Sequence, residues 1–366
     1  MMKKLFVNQK IIILLMCLVC SASMLAQNKT EQLKAIRKAY AEAKKEMAEN
    51  GKKGNPRMDC IVTQNDGTRV SEDFVINDEY ELDFFFKRIH LSNETDLFKP
   101  SCYFIVEKYY SNGHSIYREM LFEPFSTHLL FSYMKAETHA GYVIESRFYY
   151  DDEGRLIEQK HHEGGKETTP NAQSWSTDKG DYKMALEHLQ FFNKLMQQKD
   201  MAAERITPTD SNADEIKHIR AAYAKAKSKI DQDASADIPR NIQVVVHDQE
   251  APAMPPREDV LKFWFSPIDL GQTTDNKCYF ASSTCSMGDH HVYSEYLFDE
   301  KDSHLMFCFS KQEQNDGKPL EWRYYFDDKG RCIEAKGQNA QNGPGFAGKA
   351  TAKLCLDLFN VLTTSH

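Results

Sequence analysis

The sequence predicts an α+β fold built twice in tandem, each unit an antiparallel meander sheet flanked by an N-terminal and a C-terminal helix. Three observations carry that expectation. Long segments recur in the same order: EQLKAIRKAYAEAKKEM (31–47) as DEIKHIRAAYAKAKSKI (214–230), and CYFIVEKYYSNGHSIYREMLFEP (102–124) as CYFASSTCSMGDHHVYSEYLFDE (278–300). HLLFSYMK (128–135) returns as HLMFCFSK (304–311), and RFYYDDEGRLIEQK (147–160) as RYYFDDKGRCIEAK (323–336). Each unit opens and closes on a stripe of apolar residues at helical spacing. Between the stripes lie short runs of Tyr, Phe, Val and Ile separated by turn residues, and such short connections favour antiparallel neighbours.

The units are whole domains, because solenoid repeats span only about 20–50 residues. A chain of 366 residues is long enough for two domains. The expected organisation is a signal segment at 1–26, a first domain at 27–205 and a second at 206–366. At the N-terminus, Lys3, Lys4 and Lys10 precede the apolar run IIILLMCLVC, and small residues follow in SASMLAQ. That order is the signature of a secretory signal peptide, and the run falls short of the ~20 residues of a membrane-spanning helix. Cleavage is placed after Ala26, with Ser23 as the competing site. Val19 before Cys20 and Met16 before Cys17 argue against lipidation. The expected location is therefore periplasmic or extracellular.

Each domain should start with a helix. Leu33, Ile36, Tyr40, Ala43 and Met47 fall on one face, as do Ile216, Ile219, Tyr223, Ala226 and Ile230. Strands follow near 58–64, 79–88, 101–110, 115–123, 127–136, 142–150 and 155–161. The closing helices are expected at 181–197, on Ala185, Leu189, Phe192 and Leu195, and at 349–363, on Ala352, Leu356, Phe359 and Leu362. In this layout the helices cover one face of each sheet.

A net charge of −8 with dispersed lysines and arginines gives no footprint for nucleic acid. Beyond the signal segment the cysteines are Cys60, Cys102, Cys278, Cys285, Cys308, Cys332 and Cys355, an odd set without a C-x-x-C pair, which disfavours structural zinc. Cys102 and Cys278 match, as do His114 with His290 and His128 with His304. A cysteine beside an imidazole makes a nucleophile, but core packing or a disulfide is the commoner use of such a cysteine. No nucleotide loop, zinc-protease helix or nucleophile elbow is present.

In RFYYDDEGRLIEQK, adjacent Asp151 and Asp152 point to different sides and no Glu closes a twelve-residue calcium loop. A hairpin turn, with Asp bonding nearby amides and Gly at positive φ, accounts for the segment. On Tyr149, Asp151, Gly154 and Arg155, and again on Tyr325, Asp327, Gly330 and Arg331, this element resembles the YD-type repeats of RHS proteins. The whole chain resembles uncharacterised secreted proteins of Bacteroidetes-type bacteria. The resemblance implies a hairpin and an exported protein rather than an activity.

Strand alternation puts Tyr117 and Glu119 on one face, with Glu145, Arg147 and Tyr149 on the same side of a later strand. Tyr293, Glu295, Glu321, Arg323 and Tyr325 repeat the set. On a sheet face free of helices these residues form either a ligand-binding patch or a cross-strand salt-bridge ladder. The functional expectation is an exported, non-catalytic module that binds an unknown protein or glycan partner, with no cofactor, metal or catalytic residue assigned. The alternatives are a glycan hydrolase using paired glutamates and a periplasmic inhibitor or immunity-like protein.

Overall fold

Fifteen strands and four helices make up the described part of the chain. The computed structural model describes residues 29–48, 57–71, 74–92, 95–111, 114–124, 126–137, 141–169, 177–199, 212–234, 240–249, 257–269, 274–287, 290–313, 318–337 and 345–364. The expected signal segment 1–26 and the expected 205/206 boundary lie outside the described residues.

Helix α1 (29–48) is followed by β1 (Arg57–Ser71), β2 (Phe74–Ser92), β3 (Thr95–Ser111), β4 (His114–Phe122), β5 (Leu129–Glu137), β6 (Val143–Tyr150), β7 (Leu156–Glu163) and the two-residue β8 (Lys166–Glu167). Then come α2 (Asp178–Lys199) and α3 (Ala213–Ala234). The second run of strands is β9 (Asn241–Gln249), β10 (Arg257–Asp269), β11 (Thr274–Met287), β12 (His290–Phe298), β13 (Leu305–Gln312), β14 (Leu320–Phe326) and β15 (Cys332–Gly337), and α4 (Gly345–Thr364) closes the chain.

The expectation of two domains, each with its own sheet flanked by helices, is corrected. All strands belong to one antiparallel sheet in the order β15 through β9, then β1 through β8. The seam is β1 against β9, paired without a break from Arg57–Gln249 to Asn65–Asn241. Each of these is the first strand of its meander, so in a separate domain each would be an edge with a row of unpaired N–H and C=O groups. Met58, Cys60 and Val62 of β1 and Ile242, Val244 and Val246 of β9 are all buried, in one core that runs across the seam.

The expected one-sided helical cover is also corrected, because helices lie on both faces. On one face α2 and α4 share the continuous core. Phe192 of α2 packs on Phe84 and Phe86 at ring separations of 5.4 and 5.3 Å, and Phe359 of α4 on Phe263 and Phe265 at 6.0 and 5.7 Å. Lys194 of α2 meets Asp357 of α4 at 2.7 Å. On the other face α1 buries Leu33, Ile36 and Ala43 against Phe104, Leu121 and Phe131. There α3 buries Ile216, Ile219, Ala226 and Ile230 against Phe280, Leu297 and Phe307. A stripe of about 100° on each helix leaves its other side to solvent, which fits the polar residues between the apolar ones.

The twin hairpins are turns. Asp151 Oδ1 accepts the amides of Glu153 and Arg155 at 3.0 and 2.8 Å, its Oδ2 accepts Arg155 Nε at 2.8 Å, and Gly154 has φ +75°. Asp327 accepts Lys329, Arg331 and the Arg331 side chain in the same way, with Gly330 at φ +69°.

Candidate functional site

Of the residues expected to form an open patch, Glu119 and Glu295 lie beneath helices. Glu119 is 3% exposed and its carboxylate accepts from Tyr40 and Lys44 of α1 and from Tyr117 beside it. Glu295 is held likewise by Tyr223 and Lys227 of α3 and by Tyr293. Burial, and then the bond to Glu119, raise the Tyr40 and Tyr117 phenols far above their ordinary range, so both remain donors. Each cluster therefore fastens a helix to the sheet through a saturated carboxylate.

Further along the same face, Tyr133 donates to Glu145 at 3.0 Å, Arg147 pairs with Glu145 at 3.3 Å, and the Arg147 guanidinium sits 5.2 Å from the Tyr133 ring centre. Burial and the bond to Glu145 push the Tyr133 phenol up to about 12. Arg37 of α1 lies 5.4 Å over Tyr149 and pairs with Glu158 at 3.0 Å. In the second half Arg323 pairs with Glu321 at 2.9 Å, and Arg220 lies 5.4 Å over Tyr325. The Glu-Arg-Tyr set thus contains an ion pair in each half, with Tyr149 and Tyr325 covered by helix arginines and the Glu145–Arg147 and Glu321–Arg323 side chains still 30% and 34%, and 40% and 46%, exposed. The space left among Arg37, Tyr40, Tyr133, Arg147 and Tyr149 is about 220 Å³.

A larger cavity, about 380 Å³, opens on the opposite face, between β2–β4, α2 and the end of α4. Strand alternation builds its floor. Tyr80 and Leu82 of β2, Glu107 and Tyr109 of β3, and Ile116 and Arg118 of β4 all point to the α2 side, and register sets Glu107 beside both Leu82 and Arg118. Helix α2 supplies the roof. Thr177 caps it, its hydroxyl accepting the Gly180 amide at 3.1 Å, which fixes Asp181 in the first turn. One and two turns further, Met184 and His188 face the same space.

Four ionisable groups meet at this floor, nearly dry. Arg118 Nη1 donates to Glu107 at 2.8 Å and Arg118 Nε lies 3.5 Å from Asp181. His188 Nε2 lies 3.3 Å from the other Glu107 oxygen. Side-chain exposures are 6% for Glu107, 10% for Arg118 and 2% for Asp181. Burial by itself would raise the Glu107 carboxyl; Arg118 and His188 outweigh it and hold the group well below the ordinary carboxylate range. Burial likewise opposes the charge on Arg118, and Glu107 with Asp181 more than restores it. Apolar walls with a few convergent polar groups are what a small-molecule site requires.

Neither Glu107, Arg118, Asp181 nor His188 was singled out by the sequence. The usable signal was a charge inside an apolar alternation, Ile105-x-Glu107-x-Tyr109 and Ile116-x-Arg118-x-Met120, and a histidine inside the stripe Ala185, His188, Leu189, Phe192.

Two other constellations carry less chemistry. Ser146 Oγ lies 2.7 Å from His161 Nδ1, and His161 Nε2 lies 3.1 Å from Glu163, the order of groups in a hydrolase relay. Ser146 and His161 are 0% and 2% exposed, so no acyl group reaches the hydroxyl. Asp299, Asp302 and His304 come together at the β12–β13 turn, where Asp299 and Asp302 accept the amides of Lys301 and His304 at 2.8 and 3.1 Å and so serve the turn. Among the described residues no disulfide joins Cys60, Cys102, Cys278, Cys285, Cys308, Cys332 or Cys355; burial pushes Cys308 and Cys355 up to about 12 and Cys102 higher still, which disfavours thiolate chemistry.

Among the described residues no helix is long and apolar enough to cross a membrane. Comparison with protein-family models, with curated proteins and with solved structures finds no match.

Proposed function

We propose that the protein is an exported, non-catalytic binding protein, built from two repeated units, whose ligand seats in the cavity between β2–β4, α2 and α4. The observation that supports this reading is the pairing of apolar walls with the buried Glu107–Arg118–Asp181–His188 set in one 380 Å³ space. Burying these charges costs several kcal/mol per ion before pairing returns it. A fold has no need of that cost where apolar residues would serve. The hydrolase alternative would pair Glu119 with Glu145, or Glu295 with Glu321; Glu119 and Glu295 are saturated by three donors each under α1 and α3, and Glu145 and Glu321 are engaged by Arg147 and Arg323. For an inhibitor, an exposed aromatic patch would be expected, whereas among the described residues the exposed large apolar side chains are Ile61, Tyr110, Tyr142, Leu156 and Leu186, of which only Tyr110 and Tyr142 are aromatic.

The test is native mass spectrometry of the mature protein from its own envelope extract, alongside Met184→Trp, which fills the cavity from a half-buried position on α2. A small molecule retained by the parent and lost from a folded Met184→Trp supports the reading. Retention that is unchanged in the filled variant overturns it.

A further inference from the structure

We propose that the cavity takes a ligand with a cationic head, an alkylammonium or arylammonium group, joined to an apolar body. This rests on the reading of the cavity as the ligand site and adds the charge of its occupant.

Among the described residues, the charged side chains lining the cavity are Glu107, Arg118, Asp181, Lys183 and Glu187. Lys183 and Glu187 pair along α2 at 3.4 Å, with Lys183 at the rim, 70% exposed, and their charges cancel. The floor then holds two carboxylates, Glu107 and Asp181, against one guanidinium. Arg118 is already engaged by both, through Nη1 at 2.8 Å and Nε at 3.5 Å. Glu107, Asp181 and Arg118 together thus carry one excess negative charge where water screens little, since these side chains are 10% exposed or less. An entering ammonium balances that charge, while a carboxylate ligand adds to the excess.

The walls suit the same occupant. The Tyr80 and Tyr109 rings stand 6.3 Å apart at the cavity, and aromatic faces attract alkylated ammonium groups. Leu82, Ile116, Val361 and Leu362 offer the apolar surface for the rest of the molecule. His188 Nε2, 3.3 Å from Glu107, completes the polar floor.

The experiment is calorimetric titration of the mature protein with octyltrimethylammonium, octanoate and 1-octanol, each below its micelle concentration or solubility limit. At pH 8 the ammonium should bind saturably and at least tenfold more tightly than the other two, and its affinity should fall at least tenfold in Asp181→Asn. The contrast among the three probes on the parent protein stands if Asp181→Asn fails to fold. Octanoate or octanol binding as tightly as the ammonium overturns the cationic assignment and leaves the ligand cavity in place. Absence of binding by all three probes, or binding undiminished in Met184→Trp, overturns both.

Discussion

In β3 and β4 the pair facing α2 is Glu107 opposite Arg118, with Leu82 beside Glu107. In β11 and β12 the corresponding pair is Ser283 opposite Ser294, with Leu261 beside Ser283. The serines stay neutral: Ser294 Oγ lies 2.9 Å from Ser310 Oγ, and Ser283 Oγ 3.3 Å from the Tyr296 hydroxyl. Where α2 presents His188 beside Ala185 and Leu189, α4 presents buried Cys355 beside Ala352 and Leu356. Two stretches of the same sheet, covered by helices that share one core, thus fill the same place with an ion network and with small hydroxyls. The second half folds without the charges, so the fold does not demand them in the first. Small hydroxyls satisfy each other at little cost, whereas four ionisable groups must be held in register to offset their desolvation.

That comparison is most sharply broken by removing one partner. Arg118→Met leaves Glu107 and Asp181 buried without their cation and should cost about 3–5 kcal/mol in urea unfolding. The double change Glu107→Ser/Arg118→Ser, which gives β3 and β4 the residues of β11 and β12, should recover most of that loss while removing ligand uptake. If the double variant is as unstable as Arg118→Met, the charges are structural and the contrast between the halves loses its functional meaning.

The next effect is in acid. The Glu107 carboxyl is held below its ordinary value near 4.5, so its contribution to stability is present above that value and is lost as pH falls below it. The parent should therefore lose on the order of 2 kcal/mol more than the double serine variant between pH 6 and pH 3, read as the difference in urea midpoints. Equal acid sensitivity of the two proteins would remove Glu107 as the cause.

The twin hairpins give a smaller contrast. A Cβ at Gly154 would lie 2.4 Å from the Tyr182 hydroxyl, whereas at Gly330 its nearest neighbour would be Lys349 Nζ at 3.6 Å. Both positions have positive φ, so Gly330→Ala should cost about 1 kcal/mol and Gly154→Ala about 1 kcal/mol more, as thermal unfolding would register. The smallest effect is expected at the helix pair bridging the halves. Lys194→Ala removes a partly exposed ion pair with Asp357 and should cost less than about 1 kcal/mol.

Elements with a local period were legible in the sequence. The stripe Ile216, Ile219, Ala226, Ile230 and the hairpin Asp151–Arg155 each depend on residues a few positions apart, and those are the contacts they make. The seam carries no such signal, because Ile61 and Val245 are opposed only in the folded sheet and stand far apart in the chain, where no local period relates them. The cavity was hidden for a related reason. Glu107 and Arg118 lie on neighbouring strands, and Asp181 and His188 arrive on a helix much later in the chain, so each reads singly as an ordinary charge. Tyr117 and Glu119 drew attention instead because their neighbours repeat, and the repetition reflects the task of fastening α1 and α3.

The seam has a consequence for how the halves are free to differ. Across it Cys60 meets Val246 and Val62 meets Val244; Cys60 and Val244 each stand beside a leucine of the next strand, Leu82 and Leu261. The register is thus self-complementary, the pattern that two identical subunits make about a two-fold axis. In a symmetric pair of separate chains every substitution appears on both sides, and a charge network placed in one cavity is placed in the other. Carried within one polypeptide, the same interface keeps its symmetry while each side varies alone, so a cavity floored by an ion network is compatible with one half and a neutral, hydroxyl-filled core with the other.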